Sequence, residues 1–242
     1  MKEFQKEDQF GLSTLETISK ADKFNHWMFS IIKPFCSGKI LEIGSGIGNI
    51  SQHFIEADMD ITLSDVREDY CDALNRKFNK TDKPYDVLQV DIADAEFKMN
   101  YKQYRETFNT IFASNVIEHI QDDVRALQNC HFLLKKEGNL IILVPAYQQL
   151  YNSFDVALGH YRRYTKNLLS NLLVNTGLDI IHAQYFNFAG ILGWFFSGNV
   201  LKNKSISAWQ MGLYDTLVPI FKLTDKIMLE RIGLSVVVVG RK

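Results

Sequence analysis

Residues 41–50 read LEIGSGIGNI, an apolar run carrying one carboxylate, Glu42, and then glycines at alternate positions 44, 46 and 48. A run of this kind ends a buried strand, and the glycines let the chain turn sharply off it so that a ligand can lie against bare backbone. Apolar runs with β-branched residues recur at 39–43, 60–63, 85–90, 109–113 and 140–144, with helical patterns between them. Strands alternating with helices call for a parallel sheet with right-handed crossovers and helices on both faces. Ligands of such doubly wound α/β sheets bind at the carboxyl ends of the strands, where the winding reverses.

Two later runs, 178–185 and 234–239, read as further strands with no regular helix between them. The expected architecture is therefore a seven-stranded sheet with an antiparallel edge strand and an aromatic-rich helical insertion before the last strand. Helix punctuation supports this register. Asp122 is an N-cap for a helix through Val124, Leu127 and Leu134 that Gly138 ends, and Thr165 is one for a helix over 166–175 that Gly177 ends.

The 242 residues, 46% of them hydrophobic, suit one domain over 1–242, with 1–36 as an N-terminal helical lid and 187–233 as a helical cap over an acceptor site. A formal net charge of −1 supplies no broad positive field, so nucleic acid is not an expected partner. Cys36, Cys71 and Cys130 stand apart from one another, without a CxxC pair, which points to neither a disulfide framework nor a structural zinc site. The charged start MKEFQKEDQF lacks the apolar core of a signal peptide, and a cytoplasmic location is expected. The apolar region 186–201 is broken by asparagines and glycines and is too short to span a bilayer.

A nicotinamide or flavin fingerprint, GxGxxG, would put its third glycine at position 49, which is Asn49. The pattern here is GxGxG, with Glu42 in front of it. That carboxylate would repel a diphosphate and attract an ammonium group. LEIGSGIGNI resembles the first motif of class I S-adenosylmethionine-dependent methyltransferases, and Asp65 in LSDVRED, Asp91 in VLQVDIAD and the segment FASNVIEHIQD resemble the motifs that follow it in order. The resemblance covers residues 24–144 and implies a Rossmann-like fold with S-adenosyl-L-methionine as cofactor and S-adenosyl-L-homocysteine as product. It implies that Glu42, Gly44, Ser45, Gly46 and Val66 bind the cofactor, with Asp65 at the ribose hydroxyls, Asp91 with Ile92 at the adenine, and Ser114 and Asn115 in the loop that runs past the methionine part.

Methyl transfer is an in-line displacement that asks mainly for alignment and, where needed, for removal of a proton. The segment DVALGHYRRYT resembles an HxRRYT-like signature of a bacterial methyltransferase subgroup, and it offers His160 as a base with Arg162 and Arg163 to hold an acidic acceptor group. His119 in VIEHI is a further catalytic candidate, equally well read as a helix-start residue packed on the cofactor edge. Trp27, Tyr161, Tyr164 and Trp194 are candidates for the acceptor site. Trp194, Phe195, Phe196 and Trp209 of the insertion are otherwise read mostly as core, and Lys202, Lys204, Lys222 and Lys226 give the segment a basic character.

These residues point to a largely apolar small-molecule acceptor with an acidic or phenolic group: a lipid, a quinone precursor or an aromatic metabolite. Peripheral membrane contact through the insertion fits the same composition. The rival reading is a non-catalytic S-adenosylmethionine-binding module that docks a protein or a membrane. His26, His53, His131 and His182 do not converge with acids at ligand spacing, so no metal is implied.

Overall fold

The computed structural model describes residues 9–79, 84–200 and 207–242. Two helices, α1 (Gln9–Ser19) and α2 (Asp22–Ile32), lead into β1 (Ile40–Ile43). There follow α3 (Ser51–Glu56), β2 (Ile61–Asp65), α4 (Glu68–Phe78), β3 (Val87–Gln89), α5 (Phe97–Asn100), β4 (Phe108–Ser114), α6 (Asp123–Leu133) and β5 (Leu134–Pro145). The chain continues through α7 (Ser153–Leu158), α8 (Lys166–Asn175), β6 (Asp179–Phe186), α9 (Phe188–Phe195), α10 (Ala208–Ile227) and β7 (Ser235–Arg241). All seven expected strands form. Their order is β3-β2-β1-β4-β5-β7-β6, with the first five parallel and β7 antiparallel to both of its neighbours. The expected antiparallel pairing closes one edge of the sheet, with the reversed strand β7 one place inside and β6 at the rim.

Strand alternation sorts the apolar side chains into a core on each face. Leu41, Ile43, Ile111, Ala113, Val236 and Val238 pack with Leu127 of α6 and Leu169 of α8. Ile40, Phe112, Val237 and Val239 point the other way, toward Phe29 of α2, Phe54 of α3 and Leu74 of α4.

The Asp122 side chain accepts from the Arg125 N–H and Thr165 accepts from the Leu168 N–H, so both N-caps form, and Gly177 sits at φ +90° after α8. The first of these helices ends earlier than the sequence pattern implied. Leu134 opens β5, and Gly138 lies where that strand loops out between its pairings at Leu134 and Asn139. A Cβ at Gly138 would meet the Asn109 and Lys135 carbonyl oxygens at 2.9 Å, so close backbone approach, rather than a helix end, calls for glycine there.

The insertion is helical, but its aromatics correct the core reading. α10 turns Met211, Val218 and Asp225 inward, and Asp225 accepts from the Asn187 and Phe188 N–H groups, tying α10 to the start of α9. Trp209, Leu213, Ile220, Leu223 and Ile227 face outward, Trp209 with 70% of its surface exposed, and Phe195 and Phe196 are exposed too. With their inner faces already filled, α9 and α10 leave these rings outside. Lys202 and Lys204 lie outside the described residues, among which no helix is long and apolar enough to cross a membrane.

Phe54 is fully buried, stacked on Phe112 with ring centroids 4.8 Å apart and edge-on to Phe29 at 4.9 Å. Phe54→Ala removes the ring that joins α3 and α2 to the sheet, and it is expected to lower the unfolding free energy by about 3–5 kcal/mol in urea denaturation.

Candidate active site

The winding reverses between β1 and β4, and the glycine turn lies at that crevice. Gly44 and Gly46 take φ +72° and +54°, and a Cβ on Gly44 would fall 2.4 Å from Cγ2 of Val116, so the loops after β1 and β4 touch across it. Glu42 is buried at the end of β1, where the Ser51 hydroxyl donates to its carboxylate. Burial pushes its pKa up to about 7 against the pull of Ser51 and Ser45. Asp65 closes β2 and accepts from the Gly46 N–H at 2.9 Å and the Arg67 N–H at 3.0 Å. Burial raises its pKa as well.

Half-buried Asp91 follows β3 and accepts from the Ala93 N–H, while buried Ile92 gives its carbonyl to Asn129. Ser45 bonds Ser64 across the strand ends, Val66 is half-buried just past Asp65, and at the end of β4 Ser114 is half-buried and Asn115 exposed, Asn115 at φ +55°. α1 rests on this turn: Leu15 comes within 3.0 Å of where a Gly46 Cβ would stand, and Asn49 donates to the Leu15 carbonyl.

Carboxylates thus stand at the ends of three adjacent strands, β1, β2 and β3, while the Lys77 ammonium donates to the Ile47 and Gly48 carbonyls. A diphosphate would meet repulsion here; a ligand with an ammonium group and vicinal hydroxyls would not. Each Asp65 oxygen keeps a lone pair beyond its backbone bond, enough to take two ribose hydroxyls. A donor set of this kind could hold S-adenosylmethionine, with Glu42 at its ammonium and Asp91 at its adenine amino group.

A second group lies beyond β4. Glu118 and His119 occupy a 3₁₀ turn, Ile117–His119, and the Tyr161 N–H donates to the Glu118 carbonyl, bringing the loop after α7 alongside. Glu118, His119 and His160 hold ligand atoms within 4.8 Å of one another, and the two imidazoles meet edge to face with centroids 4.6 Å apart. Glu118 is fully buried with neither oxygen hydrogen-bonded, and burial pushes its pKa up to about 7. Burial and the neighbouring His160 lower that of His119 to about 3.

Behind them, the fully buried Asp155 carboxylate accepts from His160 Nδ1 and Arg163 Nε, both at 2.8 Å. Burial works to raise its pKa, but these partners outweigh it and hold it below the usual range. Arg163 also donates to the Ala146 carbonyl and stacks on Trp194, 4.6 Å from the ring centroid.

Several expected roles change. Arg163 is buried in its pairing with Asp155, and Arg162 is bound to Asp123 and the Gln121 carbonyl, so neither guanidinium stands free for an acceptor anion. Tyr164 is fully buried and donates to Asp123, so its ring is core rather than pocket wall. Trp194 backs Arg163 and donates to the Leu150 carbonyl, whereas Tyr161 remains half exposed. Trp27 lines a separate cleft of about 380 Å³ on the β6 side, with Phe186 and Lys222. His53 does meet acids, Asp22 and Glu56 each at 3.8 Å, at the α2–α3 contact. Sequence reasoning passed over Glu118, Asp155 and Asp123, although the first two sit inside segments it singled out.

The profile of the methyltransferase domain family matches residues 41–140. A ubiquinone biosynthesis O-methyltransferase of Actinobacillus pleuropneumoniae is 28% identical over 103 residues, 42% of this chain and 43% of that protein. An uncharacterized methyltransferase of Schizosaccharomyces pombe is 26% identical over 153 residues, 58% of this chain and 53% of that one. The chain thus spans about half the length of these relatives. Among solved structures, an S-adenosylmethionine-dependent methyltransferase of Thermotoga maritima superposes with a TM-score of 0.63 at 16% identity, covering 97% of both chains. A phosphoethanolamine N-methyltransferase of Haemonchus contortus, solved with S-adenosylmethionine, gives 0.55 at 18% identity over 88% of this chain and 51% of that one. At such identities the structural likeness speaks to the fold.

Glu42 carries a pH signature of its own. Its folded pKa of about 7 lies above the ordinary value of 4.5, so the unfolded chain releases the proton first as pH rises. The stability it contributes is full below pH 4.5 and is lost as pH climbs through 7. In urea denaturation at pH 5 and pH 8, the parent protein is expected to lose roughly 1–3 kcal/mol more across that interval than Glu42→Gln does.

Proposed function

We propose that this chain, whose residues 41–140 match the methyltransferase domain family, binds S-adenosylmethionine as its cofactor and methylates a hydroxyl oxygen of a largely apolar, phenol-like acceptor. The observation that carries this reading is the set of three carboxylates around the glycine turn, next to the Glu118–His119–His160 group at the end of β4. The first set suits the cofactor's ammonium and ribose. The second lies on the acceptor side, where the acceptor oxygen takes the methyl carbon, gives its proton to water, and the carbon–sulfur bond breaks to release S-adenosylhomocysteine.

The acceptor needs no anionic group to be held, because both arginines of the loop after α7 are already paired. A phenolic hydroxyl keeps its support from the neighbouring imidazoles and from the likeness to an O-methyltransferase of ubiquinone biosynthesis. α1, lying over the turn, is the lid that the cofactor passes, and α9 and α10 cap the acceptor side.

Calorimetric titration with S-adenosylhomocysteine, with NADH as control, tests the cofactor half. Asp65→Ala is expected to weaken S-adenosylhomocysteine binding by about tenfold or more, since the partner of two hydroxyls is lost. Unchanged affinity would remove Asp65 from the site. A screen of acceptors follows, in which turnover of a soluble sugar or amine, with none of a phenol, would overturn the acceptor reading.

The outward row of α10, Trp209, Leu213, Ile220, Leu223 and Ile227, lies beside exposed Lys226 and supports contact with an anionic lipid surface. The protein is expected to cosediment with anionic vesicles, and Ile220→Glu with Ile227→Glu to abolish it; equal sedimentation of both forms would rule this face out.

A further inference from the structure

We propose that Glu118, His119 and His160 form a binding site for one divalent transition-metal ion of the zinc type. Two imidazoles and a carboxylate are a donor set suited to zinc, iron or cobalt, and three protein ligands leave a position open for water or another oxygen. Their ligand atoms already converge within 4.8 Å. Ligand bonds of about 2.0–2.2 Å require the three to draw slightly closer, a movement within the reach of side-chain rotation.

Three independent features set this group apart from a chance cluster. The first is Glu118, fully buried, with neither carboxylate oxygen hydrogen-bonded by another described residue. The buried Arg163 spends its hydrogen bonds on Asp155 and the Ala146 carbonyl, and its charge, with that of His160, offsets the burial of Glu118 only in part. A buried carboxylate left without a hydrogen-bonding cation is costly, and a cation between it and the two rings satisfies it.

The second is the orientation of His160. Asp155 accepts from its Nδ1, which fixes the tautomer and leaves the Nε2 lone pair free as a ligand. Asp155 is itself anchored by Arg163 and by the Asn152 N–H, so the carboxylate–imidazole pair is rigid before any ion arrives. The third is His119, whose ring lies against the Leu158 carbonyl, a second outer partner of the kind that orients metal-bound imidazoles. The Tyr161 N–H to Glu118 carbonyl bond, at 2.8 Å, joins the two loops that supply the donors.

The test uses the full chain, stripped with a chelator and titrated with Zn²⁺ and with Co²⁺. Calorimetry and elemental analysis after gel filtration should give one ion per chain, and Co²⁺ should produce visible absorption bands of a low-coordinate nitrogen and oxygen site. Glu118→Gln and His160→Ala should each weaken binding by 100-fold or more, while His182→Ala leaves it unchanged. S-adenosylhomocysteine is titrated into the same samples: its retained binding in the two variants shows that the fold and the cofactor site stand apart from the metal. No saturable uptake, or uptake that both variants keep, would overturn the proposal.

Discussion

Parallel strands present their carboxyl ends along one edge of a sheet, and where the winding reverses no crossover covers that edge. In this chain the reversal falls between β1 and β4, so the loops after these two strands meet across a crevice. Much of the rest follows from how closely they meet. The approach of Val116 to Gly44 leaves no room for a side chain on the turn, and Gly46 lends its N–H to Asp65, so the turn is shaped by strand ends on both sides of β1. One topological fact therefore sets where the glycines stand, which acids face the crevice and which loop closes it.

The loop after α7 solves a different problem. It must run from the end of β5 back beside the turn that carries Glu118, and it does so with charged side chains pointing inward. Asp155 makes this tolerable. Fully buried, it takes one hydrogen bond from His160, one from Arg163 and one from the Asn152 N–H, while Arg163 spreads its remaining contact over the Ala146 carbonyl and the face of Trp194. A network satisfied at every member rigidifies, and here it fixes the angle at which His160 is presented.

What the sequence made legible was local. Strand runs, the two side-chain N-caps and the glycine turn depend on neighbours within a few residues, and each appeared where expected. Gly138 was misread because the residue that commonly ends helices also permits close backbone approach, and only the partner strand, with Asn109 at its surface, reveals which applies. Arg162 and Arg163 looked free because their partners are set by the fold: Asp123 is 39 residues away, and Asp155, although only 8 away, is brought round by α7. The convergence of His160 on Glu118 and His119 was hidden for the same reason, since spacing rules find ligands along one element and not across two loops. The outward rings of α10 could not be told from core rings by composition, because the faces of a helix are assigned by what packs on it.

The contrast among the buried acids carries the functional argument furthest. Asp155 shows that this fold can pair a buried carboxylate from within when the acid serves only to orient others. Glu42 and Glu118 are buried as deeply, yet burial pushes each to a pKa of about 7: Glu42 has a hydroxyl for a partner, and Glu118 has none among the described residues. An apolar side chain of similar size at either place would relieve that cost. Both lie at the crevice, at the ends of the two strands where the winding reverses. A carboxylate kept there without an ion pair is matched to a cation from outside, and the two sites differ in which one their neighbours suit. Beside Glu42 the bare backbone of Gly44 and the carboxylate of Asp65 fit an organic ammonium, whereas beside Glu118 two oriented imidazoles fit a metal ion.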